Sequence, residues 1–151
     1  MTKIKICGIT NKEDALWAIR LKVDALGFIF AYSPRRVNPR IAQEIIELLP
    51  PFISIVGVFV NEDRKRVKEI AERCCLTTLQ FHGEESPSYC QGFKQKVIKA
   101  FRIKDKKILE KILQYQGKID ACLLDTYSPF QYGGTGRIFN WDIAKEVKKL
   151  E

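Results

Sequence analysis

Cys7 and Gly8 close the run Lys3-Ile4-Lys5-Ile6-Cys7-Gly8, which reads as a short strand ending on a thiol and a glycine just before a helix start. The carboxyl end of a strand is where α/β proteins place their chemistry. Cys7 shares strand parity with Lys5, so both side chains point to the face opposite Ile4 and Ile6. A lysine one pleat below a thiol favours the thiolate, the form that acts as base or nucleophile. The competing reading is a buried structural thiol, since free Cys is among the most buried residue types. Asp125 ends the apolar run Ala121-Cys122-Leu123-Leu124. Desolvation there raises a carboxyl pKa and favours a protonated acid that donates to a leaving oxygen. Its alternative role is to cap backbone N–H groups of the loop that follows. Together Cys7 and Asp125 would make a base and acid pair.

Other residues suit anion capture. Arg35 and Arg36 follow the second strand, and their planar guanidinium groups match a carboxylate or phosphate in bidentate fashion, although a solvent-exposed pair is the commoner outcome. Gly133-Gly134-Thr135-Gly136 either brings backbone N–H groups to an anion and folds over a ligand, or is simply a flexible loop. His82 is the only histidine and has no Ser, Asp or second His at triad or metal spacing, which favours a structural or pocket-wall role. The five cysteines (Cys7, Cys74, Cys75, Cys90, Cys122) are odd in number and form no CxxC pair, arguing against a disulfide framework and a zinc site. Cys74, Cys75, Cys90 and Cys122 are read as structural: three lie on or near helices, and Cys122 has the opposite parity to Asp125.

The elements that must position these residues alternate. Ile4–Cys7 precedes a helix opened by Thr10 and Glu13 at capping-box spacing and running to about Leu21. Asp24–Phe30 is the second strand, and Asn38-Pro39 starts a helix through Leu49, ended by Pro50-Pro51. Phe52–Val60 is the third strand, Asn61 caps a charged helix to Cys75, and Leu76–Phe81 is the fourth strand. Ser86-Pro87 starts a shorter helix. Val97–Phe101, a helix over Asp105–Gln116 and the strand Ile119–Asp125 follow, and Asn140 caps a last helix reaching Glu151. Strict βα alternation with near-continuous apolar strands means parallel strands joined by right-handed crossovers. Pattern alone leaves a doubly wound open sheet and a closed barrel, and length favours the open sheet, because a barrel needs eight units and about 200 residues or more.

The chain has 151 residues, 46% hydrophobic and 29% charged, which describes a single globular domain over residues 1–151. No apolar run reaches the roughly 18 residues of a membrane span, and no leader pattern opens the chain, so a cytoplasmic location is expected. The net charge of +8 is spread over several helical stretches with interleaved acids and no aromatic-basic stripe. It reads as a solvated surface, with no nucleic-acid or membrane partner.

At these residues the chain resembles the phosphoribosylanthranilate isomerase family of tryptophan biosynthesis. The likeness runs in order through KICGIT (Lys5–Thr10), DALGFIF (Asp24–Phe30), SPR (Ser33–Arg35), VGVFVN (Val56–Asn61), LQFHGE (Leu79–Glu84), LLDT, YGGTG and FNW. The resemblance implies an eightfold βα (TIM) barrel, against the preference from length. It implies an Amadori rearrangement of N-(5-phosphoribosyl)anthranilate to 1-(2-carboxyphenylamino)-1-deoxyribulose 5-phosphate, with Asp125 as general acid and Cys7 as general base. By the same likeness Arg35 holds the anthranilate carboxylate, Gln80 and His82 contact substrate, and Gly133, Gly134 and Gly136 close over it. The substrate nitrogen is the electron sink, so no cofactor or metal is implied.

The resemblance covers six of the family's eight βα units. The two remaining units carry the family's phosphate-binding loops, so little isomerase activity is expected of the 151 residues alone, and the first and sixth strands are expected to be edges open to pairing, as in a homodimer. The rival reading is a catalytically inactive βα module serving in binding or assembly.

Overall fold

Six strands, β1 (Lys5–Cys7), β2 (Ala25–Ile29), β3 (Ser54–Phe59), β4 (Thr78–Phe81), β5 (Lys96–Ile103) and β6 (Ala121–Thr126), form one parallel sheet in unbroken chain order. The computed structural model describes residues 2–128, 138 and 140–150. A doubly wound sheet reverses its strand order at a switch point. None of these crossovers reverses, so the open-sheet preference drawn from length is overturned in favour of the barrel type. The sheet is also curled: Lys5 on β1 donates to Gln80 on β4, strands that lie about 14 Å apart in a flat sheet.

Curling gives the sheet two chemically different faces. On the convex side Leu26, Phe28, Ile55, Phe59, Leu79, Phe81, Val97 and Phe101 pack into one apolar core beneath the helices. On the concave side register aligns Cys7 with Gly27 and Val56, Val58 with Gln80, and Arg102 with Asp125. The mainly apolar convex face thus secures the sheet to its helices, and Gln80, Arg102 and Asp125 face the hollow beside Val56 and Val58.

The helices α1 (Lys12–Arg20), α2 (Pro39–Ile46), α3 (Arg64–Arg73), α4 (Ile108–Leu113) and α5 (Trp141–Lys148) occupy four of the five connections, and α5 follows β6. Asn38 and Asn140 cap α2 and α5 as their spacing predicts, accepting from Arg40 N at 2.9 Å and Asp142 N at 2.9 Å. Three local expectations fail. The cap of α1 is Asn11, which accepts from Asp14 N at 2.8 Å and donates to the Asp14 carboxylate at 2.8 Å, so the reciprocal pair lies one residue beyond Thr10 and Glu13. Asp63 caps α3, because Asn61 is in the left-handed region (φ 50°). The segment after Ser86-Pro87 makes turns and no α-helix: Ser86 Oγ accepts from Tyr89 N at 3.2 Å, and Gly92 turns to φ 76° soon after.

Candidate active site

Cys7 leaves β1 half-buried on the concave side, and its surroundings are shaped by two glycines. A Cβ on Gly27, its register partner, would lie 2.8 Å from Cys7 Sγ, so the thiol occupies the space that a side chain on β2 would fill. Gly8 has φ 90°, and a Cβ there would meet the Arg35 guanidinium at 2.8 Å. That close approach lets Arg35 cross the end of β1 and donate to the Cys7 carbonyl at 2.8 Å. Arg35 is exposed and carries donors beyond the one used. Arg36 instead forms a bridge with Ile29 and lines a surface groove of about 290 Å³ with Asn38, Glu62 and Arg66.

A second line of contacts runs across the hollow. Lys5 Nζ donates to Gln80 Oε1, Gln80 Nε2 lies 3.1 Å from His82 Nδ1, and His82 Nε2 lies 3.1 Å from Asp125 Oδ2. Gln80 and His82 are buried, at 3% and 9% exposure, so bulk water does not compete for these bonds. The Cys7 thiol is the electrostatic partner of Lys5; burial lowers the pKa of the ammonium, and the thiol opposes that shift. The structure therefore brings Cys7, Arg35, Gln80, His82 and Asp125 to one end of the sheet. Gly133, Gly134 and Gly136 lie outside the described residues.

The protonation expected for Asp125 is corrected. Desolvation does act to raise its pKa, but the hydrogen bond from His82 outweighs it, helped by Thr126 N at 2.8 Å from Oδ1 and by the charge of Arg102. The net shift is downward, and the ligand-free group is a stabilised carboxylate. Asp125 also fills the capping role, since it accepts from Thr126 N. Lys111 pairs with Glu84 at 2.7 Å, as does Arg102 at 2.7 Å, and the bond from Lys111 first, then that from Arg102, lowers the Glu84 pKa.

The remaining thiols divide by burial. Cys74 and Cys90 are buried, which pushes both up to about 11 and keeps them as neutral thiols. Cys75 is exposed and Cys122 is half-buried on β6. Gly27 shapes this end of the sheet without standing out among the candidate residues, although its signal was present in the sequence: a glycine inside a strand marks a close approach of something else.

Parallel strands in unbroken order, with a thiol, an imidazole and a carboxylate at their carboxyl ends, define a TIM-barrel-type protein. The family model of N-(5'phosphoribosyl)anthranilate (PRA) isomerase matches residues 4–151, and the chain belongs to that family. It is similar to the N-(5'-phosphoribosyl)anthranilate isomerase of Trichlorobacter lovleyi, 50% identical over 148 residues that cover 97% of this chain and 71% of the relative. The crystal structure of the phosphoribosyl anthranilate isomerase from Thermotoga maritima superposes with a TM-score of 0.90 at 38% identity, over 99% of this chain and 73% of that one. Another solved phosphoribosyl anthranilate isomerase, in complex with reduced 1-(o-carboxyphenylamino)-1-deoxyribulose 5-phosphate, matches with a TM-score of 0.79 at 40% identity, over 85% of this chain and 66% of that one. The chain spans about seven-tenths of the length of the first two proteins.

Proposed function

We propose that the protein converts N-(5-phosphoribosyl)anthranilate to 1-(2-carboxyphenylamino)-1-deoxyribulose 5-phosphate by general acid and base catalysis, as a cytoplasmic step of tryptophan biosynthesis. The observation that supports this most is the pairing of roles at one sheet end: His82 orients Asp125, while Cys7 lies beside Lys5 and beneath Arg35. Protonated Asp125 gives its proton to the ribose ring oxygen as the bond to C1 breaks, and the anthranilate nitrogen lone pair forms the iminium. The Cys7 thiolate then takes the C2 proton, the C–H electrons form the C1–C2 double bond, and the nitrogen recovers its lone pair. Tautomerisation of that enolamine places the ketone at C2. The nitrogen is the electron sink throughout, so the route asks for no cofactor.

Arg35 suits the anthranilate carboxylate, because its free donors project from the residue that closes over Cys7. Gln80 and His82 form the wall between the two reacting groups. With Asp125 held as a carboxylate before substrate arrives, its protonation accompanies binding, and turnover by this route falls on the alkaline side as protonated acid becomes scarce. Cys7→Ser and Asp125→Asn should each slow conversion by about 10²–10⁴-fold, and Arg35→Ala should act mainly on KM. Single-turnover conversion with protein in excess measures all three; either of the first two variants reacting at the parent rate would end this assignment.

Self-association through the sheet edges belongs to the same reading. Among the described residues β1 pairs only with β2 and β6 only with β5, and Ile6 on β1 and Ile4 just before it are exposed. Size-exclusion chromatography should show a concentration-dependent dimer, and a monomer across the accessible concentration range overturns the edge-pairing reading.

A further inference from the structure

We infer that Lys5 and Gln80 are positioning residues that set the tautomer of His82, placing its single ring proton on Nε2 and so making it a hydrogen-bond donor to Asp125. The argument follows the donors in one direction. An ammonium only donates, so the Gln80 atom that faces Lys5 Nζ is the carbonyl oxygen Oε1. The amide nitrogen of Gln80 must then face the other way, toward His82 Nδ1 at 3.1 Å. An amide nitrogen also only donates, so Nδ1 presents its lone pair and the ring proton resides on Nε2, which is 3.1 Å from Asp125 Oδ2.

Reversing the amide sets two donors against each other at Lys5, and the burial of Gln80 and His82 leaves no solvent to relieve the mismatch. Each link is therefore determined by the one before it, across 75 residues from Lys5 to Gln80 and 43 from His82 to Asp125. Lys5 is also the electrostatic partner of Cys7. One cation thus serves both ends of the site: it faces the thiol directly and orients the carboxylate through two neutral side chains. The catalytic meaning of this arrangement rests on the reaction proposed for Cys7 and Asp125; the tautomer assignment does not.

His82 is the only histidine in the chain, so its ring nitrogens can be read without assignment ambiguity. Two-bond ¹H–¹⁵N correlation spectra of the histidine-labelled 151-residue chain should show one neutral ring, protonated at Nε2 and bare at Nδ1. A ring protonated at Nδ1, on both nitrogens, or equally on each overturns the inference. Gln80→Glu replaces the donor facing Nδ1 by an acceptor, and should bring a proton to Nδ1 as well. Lys5→Met frees the amide to turn and should mix the two tautomers, with Lys5→Arg restoring the Nε2 form. A pure Nε2 pattern in folded Lys5→Met removes Lys5 from the inference; if that variant does not fold, the parent and Gln80→Glu spectra still decide. Gln80→Glu should lower kcat about 10²-fold with a smaller effect on KM, and unchanged kcat with the altered tautomer refutes the positioning role. An Nε2 tautomer in the parent, together with Cys7→Ser turning over normally, would sustain this inference while sinking the proposed reaction.

Discussion

At the scale of single residues, the shape of the site depends on groups that are small or absent as much as on its polar side chains. Cys7 reaches the hollow because Gly27 leaves room beside it, and Arg35 reaches the Cys7 carbonyl because Gly8 leaves room above. A Cβ at position 27 would sit 2.8 Å from Sγ and 3.2 Å from the Cys7 Cα, so the thiol must turn away or the two strands must separate. Gly27→Ala should therefore lower kcat about 10²-fold, the penalty of displacing a reacting group by about 1 Å. Its thermal midpoint should fall as well, because the added Cβ also meets the Cys7 backbone at 3.2 Å. Steady-state kinetics beside a melting curve checks this, and parent-level kcat in a folded Gly27→Ala protein would show that the thiol position is not critical. Cys7 and Asp125 were legible from sequence because strand parity and strand end are local properties, read within about six residues of each. The downward shift of Asp125 was not, since its main cause is His82, 43 residues away.

At the scale of elements, the loop that carries His82 is held from beneath by a buried ion pair. Lys99 lies on the convex face of β5, in register with Phe81, and is 1% exposed. Its ammonium is 3.2 Å from Glu85 and donates to the carbonyls of Gly83 at 2.8 Å and Ala100 at 2.9 Å. Glu85 accepts from Asn61 N at 2.7 Å and Gly83 N at 3.0 Å, and Asn61 Oδ1 accepts from Glu84 N at 2.7 Å. Asn61 is thus spent on joining the β3 and β4 loops, which is why Asp63 caps α3 in its place. A helix-start signal cannot distinguish these two uses of the same side chain, because the competing partner is more than 20 residues away. The Ser86-Pro87 signal was likewise satisfied by one turn, with Tyr89 and Phe93 packed on Phe81. Lys99→Met leaves the Glu85 carboxylate buried and uncompensated, and should cost about 3–5 kcal/mol. Adding Glu85→Gln should recover part of that loss, because a neutral amide oxygen still accepts from Asn61 N and Gly83 N. Urea unfolding of the single and double variants measures the coupling, and equal losses in both would show that the pair is not the cause.

At the scale of the whole molecule, carboxylates clamp the sheet at both of its ends and set its response to acid. Asp24, just before β2, accepts from Lys3 at 2.7 Å and from Ile4 N at 2.8 Å; Asp120, just before β6, repeats the arrangement with Lys96 at 2.7 Å and Val97 N at 2.8 Å. Each ties the start of one strand to the start of its neighbour, at the end of the sheet opposite the site. Their lysine partners lower the pKa of both groups first, and the backbone donors lower it further. Glu84 and Asp125, at the site end, are lowered as well. A carboxylate whose pKa is lower in the folded state binds fewer protons there than in the unfolded chain, so its contribution is present above the unfolded value and is lost as pH falls through the folded one. All four act in the same direction, and acid also adds positive charge to a chain already at +8. The thermal midpoint should therefore be nearly level from about pH 7 to pH 5 and fall steadily below about pH 4, where ordinary carboxyl groups protonate. Asp24→Asn and Asp120→Asn should be less stable at neutral pH and less sensitive to acid than the parent, because the titrating group has been removed while its backbone bond can persist. Melting curves from pH 7 to pH 3 for the parent and both variants test this. A parent midpoint that holds or rises between pH 5 and pH 3 would mean that these clamps do not govern the acid limit, whatever their geometry.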